Sequence, residues 1–324
     1  MKHIAKRTLL FLLYIVICVT ESSAQIVDFS QVYTNYVYLN PAFVGVYSCP
    51  NVYTSFRTKN SLSGGYNSEY VSFDMELNKS NSAIGVSLLH DMQDNVFNQT
   101  QLLTMYAHMF QVQKRLYVAL SMAAGYSYAS TDYSNLVFSD MLNVFQDGVT
   151  PTGEDLTKKV RHNFNSEMGA LVYNDMFYSG ITIKNLQGNI TENNKNENLF
   201  PRIFSFHSMA KFSTTKAFTQ KYLIWFYPHV NVVVGGTSSY AQLGLILQKW
   251  MVQFGGAYRQ NIPMNANSFT IFIGIVEKKF RFAYNCVMTN NSTKLIGTHE
   301  VSLSYQFDCR EKKKKYEAVK APTF

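Results

Sequence analysis

Apolar and polar residues alternate one by one in "EYVSFDMEL", with Val71, Phe73, Met75 and Leu77 on one face and Ser72, Asp74 and Glu76 on the other. A period of two predicts a β-strand whose two faces meet different surroundings. "HEVSLSYQF" repeats the pattern with Val301, Leu303, Tyr305 and Phe307 against Ser302, Ser304 and Gln306. In "SFTIFIGIV" the outward set is Phe269, Ile271, Ile273 and Ile275, and Phe272 interrupts the polar face. Such segments predict about fourteen strands. They start near residues 51, 69, 83, 99, 115, 163, 177, 200, 222, 238, 250, 268, 279 and 299. Tight links ("QVQKR", "YNDM", "QKWM", "VEKKF") alternate with longer ones near 58–68, 90–98, 129–161, 186–199, 259–267 and 289–298. "GGTSS" is short for its parity and "STTKAFTQK" is long, so counts of twelve and sixteen stay open.

Composition decides where such strands sit. Aromatic residues make up 15 % of the chain and charged residues only 15 %, against roughly 25 % charged in soluble domains. Beyond the amino terminus no run approaches the 18 apolar residues of a membrane helix. Together these features predict an all-β fold, a closed, antiparallel, up-and-down transmembrane β-barrel with both ends in the periplasm. Carboxylates on the inner face want water, which a barrel lumen supplies.

"MKHIAKRTLLFLLYIVICVTESSAQ" has Lys2, Lys6 and Arg7 ahead of an apolar run, with Ser22 and Ala24 at small-residue cleavage positions. Residues 1–24 therefore read as a secretory signal peptide and Gln25 as the mature start. The expected organisation is an amino-terminal periplasmic or lumenal segment over 25–48, a barrel over 49–309 and a basic periplasmic tail over 310–324. Of the formal charge of +8, the signal region supplies +2 and the tail from Arg310 another +4. The basicity is thus mostly a tail, which excludes a nucleic-acid-binding face. The tail reads as a solvated end or as attraction to outer-membrane lipid headgroups, and alternatively as a docking segment for a periplasmic partner.

Three cysteines remain after Cys18 leaves: Cys49, Cys286 and Cys309. In a closed barrel the first strand lies beside the last, and Cys49 and Cys309 flank those two ends. A bridge between them clamps the seam; two unpaired thiols are the alternative. Histidines at 90, 108, 162, 207, 229 and 299 lack metal-ligand spacing and read as lumen or interface residues. "GYSYA" at 125–129 lies in a strand rather than a nucleophile elbow, and "VVVGGTSS" has no lysine or helix to make a phosphate loop. No catalytic, cofactor or metal site is expected. The long link from Ser130 to Arg161 holds Leu136, Val137, Met141, Leu142 and Phe145 at roughly helical spacing, a candidate lid, plug or partner-binding element.

One apolar stretch precedes the first strand. In "NYVYLNPAFVG", Asn40 is placed to cap, Pro41 to set a turn, and Gly45 to allow a reversal. Tyr36, Tyr38, Leu39 and Phe43 give the turn an apolar body, which must pack inside the lumen or under the periplasmic rim. The wider segment "FSQVYTNYVYLNPAFVG" resembles the amino-terminal signature of the PorP/SprF family, carried by Phe29, Ser30, Gln31, Leu39, Asn40, Pro41, Ala42 and Gly45. "HEVSLSYQF" is similar to that family's closing strand. The resemblance implies an outer-membrane component of type IX secretion and gliding motility in a Gram-negative cell. Its implied role is secretion or surface attachment of a large adhesin through a C-terminal sorting domain, with periplasmic secretion and motor components as partners. A passive or hydrophobic-solute channel is the second function considered, and an outer-membrane hydrolase the third.

Overall fold

The computed structural model describes residues 29–30, 34–61, 64–77, 81–94, 96–134, 136–138, 141, 153, 156–188, 201–213, 223–235, 239–262, 266–289 and 297–309. The signal region, Gln31, the tail from Arg310, and Leu142 and Phe145 lie outside these residues.

Strands β1 (Asn51–Ser61), β2 (Gly64–Leu77), β3 (Ser82–Gln93), β4 (Phe97–Gln113), β5 (Leu116–Thr131), β6 (Lys159–Tyr173) and β7 (Phe177–Lys184) pair in sequence. Strand β8 comprises Ile203–Ala210 and continues as Phe212–Ser213, both parts pairing with β9 (Ile224–Val234). The interruption lies opposite Pro228 and Tyr227, where proline offers no N–H to the ladder. Then follow β10 (Tyr240–Lys249), β11 (Val252–Asn261), β12 (Ala266–Glu277), β13 (Phe280–Thr289) and β14 (Thr298–Gln306). Every pairing is antiparallel, and β14 closes on β1 from Asn51 opposite Gln306 to Lys59 opposite Thr298. The result is a closed, fourteen-stranded barrel, so every strand's hydrogen-bonding edges are met by neighbours.

The pleat follows the alternation. On β12, Phe269, Ile271, Ile273 and Ile275 are about half exposed on the outside, whereas Phe272 points inward at 1 % exposure. On β2, Val71 faces out while Tyr70, Ser72 and Asp74 are buried inside. In lipid this arrangement pairs the backbone between neighbouring strands and presents an apolar band outward.

Three links differ from expectation. The segments near 58–68, 90–98 and 259–267 are not long loops: β1 reaches Ser61 and β2 starts at Gly64, β3 ends at Gln93 with β4 starting at Phe97, and β11 ends at Asn261 with β12 starting at Ala266. Lys59 lies opposite Tyr66 and Asn60 opposite Gly65. The apolar alternation ends where the membrane ends, but beyond that band both faces of a hairpin are wet and polar residues continue the pairing. At the other end of the barrel Lys114–Arg115, Trp250–Met251 and Lys278–Lys279 make two-residue turns, and the link from Ser213 to Ile224 is the long one that its sequence predicts. That end also carries Asn51 and Gln306, which marks it as the periplasmic one.

Candidate functional site: a lumen filled by the amino-terminal segment

Asn35 starts a one-turn helix, α1 (Tyr36–Leu39), by accepting from the Tyr38 N–H at 3.4 Å. Its amide also donates to Ser55 Oγ at 3.3 Å on β1, and Ser55 Oγ lies 3.1 Å from Ser302 Oγ on β14. Asn40 then ends α1 and caps a 3₁₀ turn over Pro41–Phe43, its Oδ1 accepting from the Ala42 N–H at 2.8 Å. Proline fits the first position of that turn because its missing N–H has no role there. The asparagine is used twice, since its Nδ2 donates to the carbonyls of Ala170 at 3.1 Å on β6 and Ile181 at 3.2 Å on β7.

The wall is shaped for this side chain. A Cβ on Gly169 would stand 2.0 Å from Asn40 Oδ1, so only glycine leaves the seat open at this point of β6. Gly45 has φ +76° and its N–H donates to Asp74 Oδ2 at 2.8 Å; a Cβ there would meet the Ala83 Cβ at 2.1 Å. Backbone freedom and close approach both require glycine here. Asp74 is fully buried. The expectation that inner-face carboxylates sit in water is therefore corrected: this one is met by a backbone N–H of the chain's own segment.

Further anchors hold the rest. Thr182 Oγ1 donates to the Leu39 carbonyl at 3.4 Å, and Lys184 Nζ donates to the Tyr38 carbonyl at 2.7 Å while lying 4.2 Å from the Tyr38 ring centroid. The Ser30 N–H donates to both carboxylate oxygens of Glu300, at 3.0 and 2.9 Å, and Arg57 Nε lies 3.4 Å from the same group. Phe29 packs edge-on against Tyr38 and Tyr70, with centroids 5.0 and 6.3 Å away. Tyr36, Phe43, Tyr47 and Tyr178 form the aromatic centre of the main core cluster.

The segment thus descends from mid-barrel, at the level of Arg57 and Tyr70, to the periplasmic rim at Asn51. Arg57 stands six residues up β1 from Asn51, about 20 Å along the strand. Seven of the eight signature residues are described and all seven are buried in the lumen. Their partners Gly169 and Lys184 had no marker in the sequence, Asp74 only its place on the polar face of "EYVSFDMEL", and Glu300 only its place in the closing strand. Of the histidines, His207 and His229 are buried in the lumen, and His162 and His299 are exposed. Among the described residues no three His, Cys, Asp or Glu are grouped as metal ligands.

Cys49 and Cys309 are joined as a disulfide, with Cα atoms 4.6 Å apart across a sequence separation of 260. It ties the foot of the lumenal segment to the chain leaving the last strand. Reduction is expected to lower the temperature at which the barrel converts to its unfolded gel mobility, equivalent to about 2–4 kcal/mol. An unchanged transition in Cys49→Ser and in reduced protein would show that strand pairing alone holds the seam.

Three solved structures of similar shape are distant in sequence. A Pseudomonas aeruginosa FadL homologue aligns over 85 % of this chain and 94 % of its own at 8 % identity and a TM-score of 0.44. A mutant of Rh. blastica porin aligns over 80 % and 99 % at 8 % identity and 0.34. The KdgM porin in complex with disordered oligogalacturonate aligns over 80 % and 99 % at 6 % identity and 0.33. No curated protein sequence matches this one. The family model for the type IX secretion system membrane protein PorP/SprF matches residues 21–305, from just before the lumenal segment through the closing strand. The chain is a member of the PorP/SprF family of type IX secretion system membrane proteins.

Proposed function

We propose that this barrel is a non-catalytic outer-membrane component of type IX secretion that supports the secretion or surface attachment of a large adhesin bearing a C-terminal sorting domain, and with it gliding motility. The family match supports the secretion reading, and the filled lumen carries the choice against a solute channel. An open pore needs a water-filled path lined by polar groups, whereas this lumen is occupied by Tyr36, Leu39, Pro41, Phe43 and Tyr47, all buried. Partners then meet the molecule at its rims, where loops and turns remain accessible. Export of the chain through a cleaved signal peptide, residues 1–24, belongs to the same reading.

The test is an affinity capture of the tagged barrel from gently solubilised outer membranes. Recovery of a large surface protein with a sorting domain, together with periplasmic secretion or motor components, is the expected result. Recovery of the barrel alone, under conditions that keep other outer-membrane complexes intact, removes the partner reading.

A further inference from the structure

At the end of the barrel that carries the short turns, a group of inward-facing aromatic residues, here called the cup, lies below the lumenal segment. Met109, Tyr117 and Trp225 are only partly buried and pack against the lower side of the core cluster that contains Tyr47. Tyr117 stacks on Tyr173 with ring centroids 5.5 Å apart. Two cations share this mouth: Lys211 Nζ stands 4.5 Å from the Trp225 centroid and 5.9 Å from that of Tyr227, and the Arg281 guanidinium stands 5.7 Å from the Tyr47 ring.

Among the described residues the rim around the cup carries more cations than carboxylates. Lys114 and Arg115 on the β4–β5 turn, Lys249 at the foot of β10, and Lys278 beside β12 are exposed. Exposed carboxylates at this end, among the described residues, are Asp175, Glu277 and Asp308, and Asp308 pairs with Lys279. A mouth with the partly exposed rings of Trp225 and Tyr117, and with Lys211 beside Trp225, is suited to an aromatic side chain flanked by carboxylates. The aromatic group stacks on the rings, and its acidic neighbours meet Lys211 and the turn cations.

We propose that this periplasm-facing cup is a docking site for an acidic peptide segment carrying an aromatic side chain, contributed by a periplasmic protein. The proposal rests on the secretion reading only in naming where such a partner engages; binding itself depends on the cup alone. The rim charge steers the segment in, and the filled lumen stops it from passing further, so the contact is a dock rather than an entry.

The experiment uses the full chain in zwitterionic lipid nanodiscs and a fluorescent short peptide of Asp, Glu and Phe. The chain has two tryptophans, Trp225 in the cup and Trp250 on the rim, so in Trp250→Phe the remaining emission reports on the cup. The expected result is saturable binding that shields Trp225 from acrylamide and weakens with salt. Lys211→Met is expected to weaken binding about tenfold, as is Trp225→Leu, each followed by peptide polarisation. Unchanged heat-dependent gel migration shows that each variant still folds. Equal binding of a Lys and Phe peptide, or of one without Phe, overturns the proposal. So does binding that is unchanged in both Lys211→Met and Trp225→Leu, which would place the peptide outside the cup. Peptide binding without captured secretion partners would sink the secretion reading and leave the cup; captured partners without peptide binding would do the reverse.

Discussion

Deletion of residues 29–45 is expected to turn a barrel that holds no steady current in planar bilayers into one that conducts continuously. The deletion keeps the Cys49–Cys309 tie and all fourteen strands, so it removes only the body that fills the lumen. Asp74 and Glu300 then lose the N–H donors of Gly45 and Ser30. Left dry, each lost partner costs about 1–3 kcal/mol, but an emptied lumen admits water, which solvates both carboxylates. The barrel should therefore survive while its permeability changes completely, and heat-dependent gel migration checks the first part. Steady current through the intact protein at the level of the deletion would show that the segment does not seal the lumen and would restore the solute channel.

Gly169→Val is the second change with a large expected effect. Valine suits a strand, and within the wall its Cβ meets only Ser121 Oγ at 2.8 Å, a small side chain that can turn aside at the cost of its bond to the Gly169 carbonyl. Its Cβ would nevertheless occupy the position of Asn40 Oδ1, 2.0 Å away, and the lumenal segment cannot seat against β6. Hydrogen exchange over residues 36–47 is expected to lose its protection while that of β6 and β7 is kept. Asn40→Ala acts on the same contact from the other side. It removes a cap of about 1 kcal/mol and two hydrogen bonds of about 1 kcal/mol each, and so loosens the segment by roughly 3 kcal/mol. Because Asn40 and Gly169 touch, the double variant is expected to be less damaging than the sum of the two. Strict additivity would mean that the seat is not what holds the segment.

The two effects separate stability of the wall from occupancy of the lumen. The wall is held by ladders between neighbours in sequence and by one closure, β14 on β1. The lumenal segment is held by contacts with β1, β2, β4, β5, β6, β7 and β14, few of them local.

That difference explains what could be read in advance. Fourteen strand positions were legible, because the side-chain period of two is a local property and a membrane outside with a polar inside makes it visible. Phe272 and Ile271 were sorted to their faces by position alone. Strand ends were less legible at 58–68 and 90–98, since the pattern records the lipid boundary and not the last hydrogen bond. The turn built on Asn40, Pro41 and Gly45 could likewise be anticipated, from capping, a fixed φ and a free one. Only the tertiary structure decided how the turn is used. The Asn40 amide reaches carbonyls 130 and 141 residues away, and Ser30 meets Glu300 across 270. Such pairs leave no periodic trace: a glycine at 169 looks like any strand glycine until the side chain that fills its space is known. Sequence by itself determined a β-barrel with an apolar turn to bury; the closed register determined that the turn buries itself inside, because a fourteen-stranded lumen has room to receive it and polar walls that need partners.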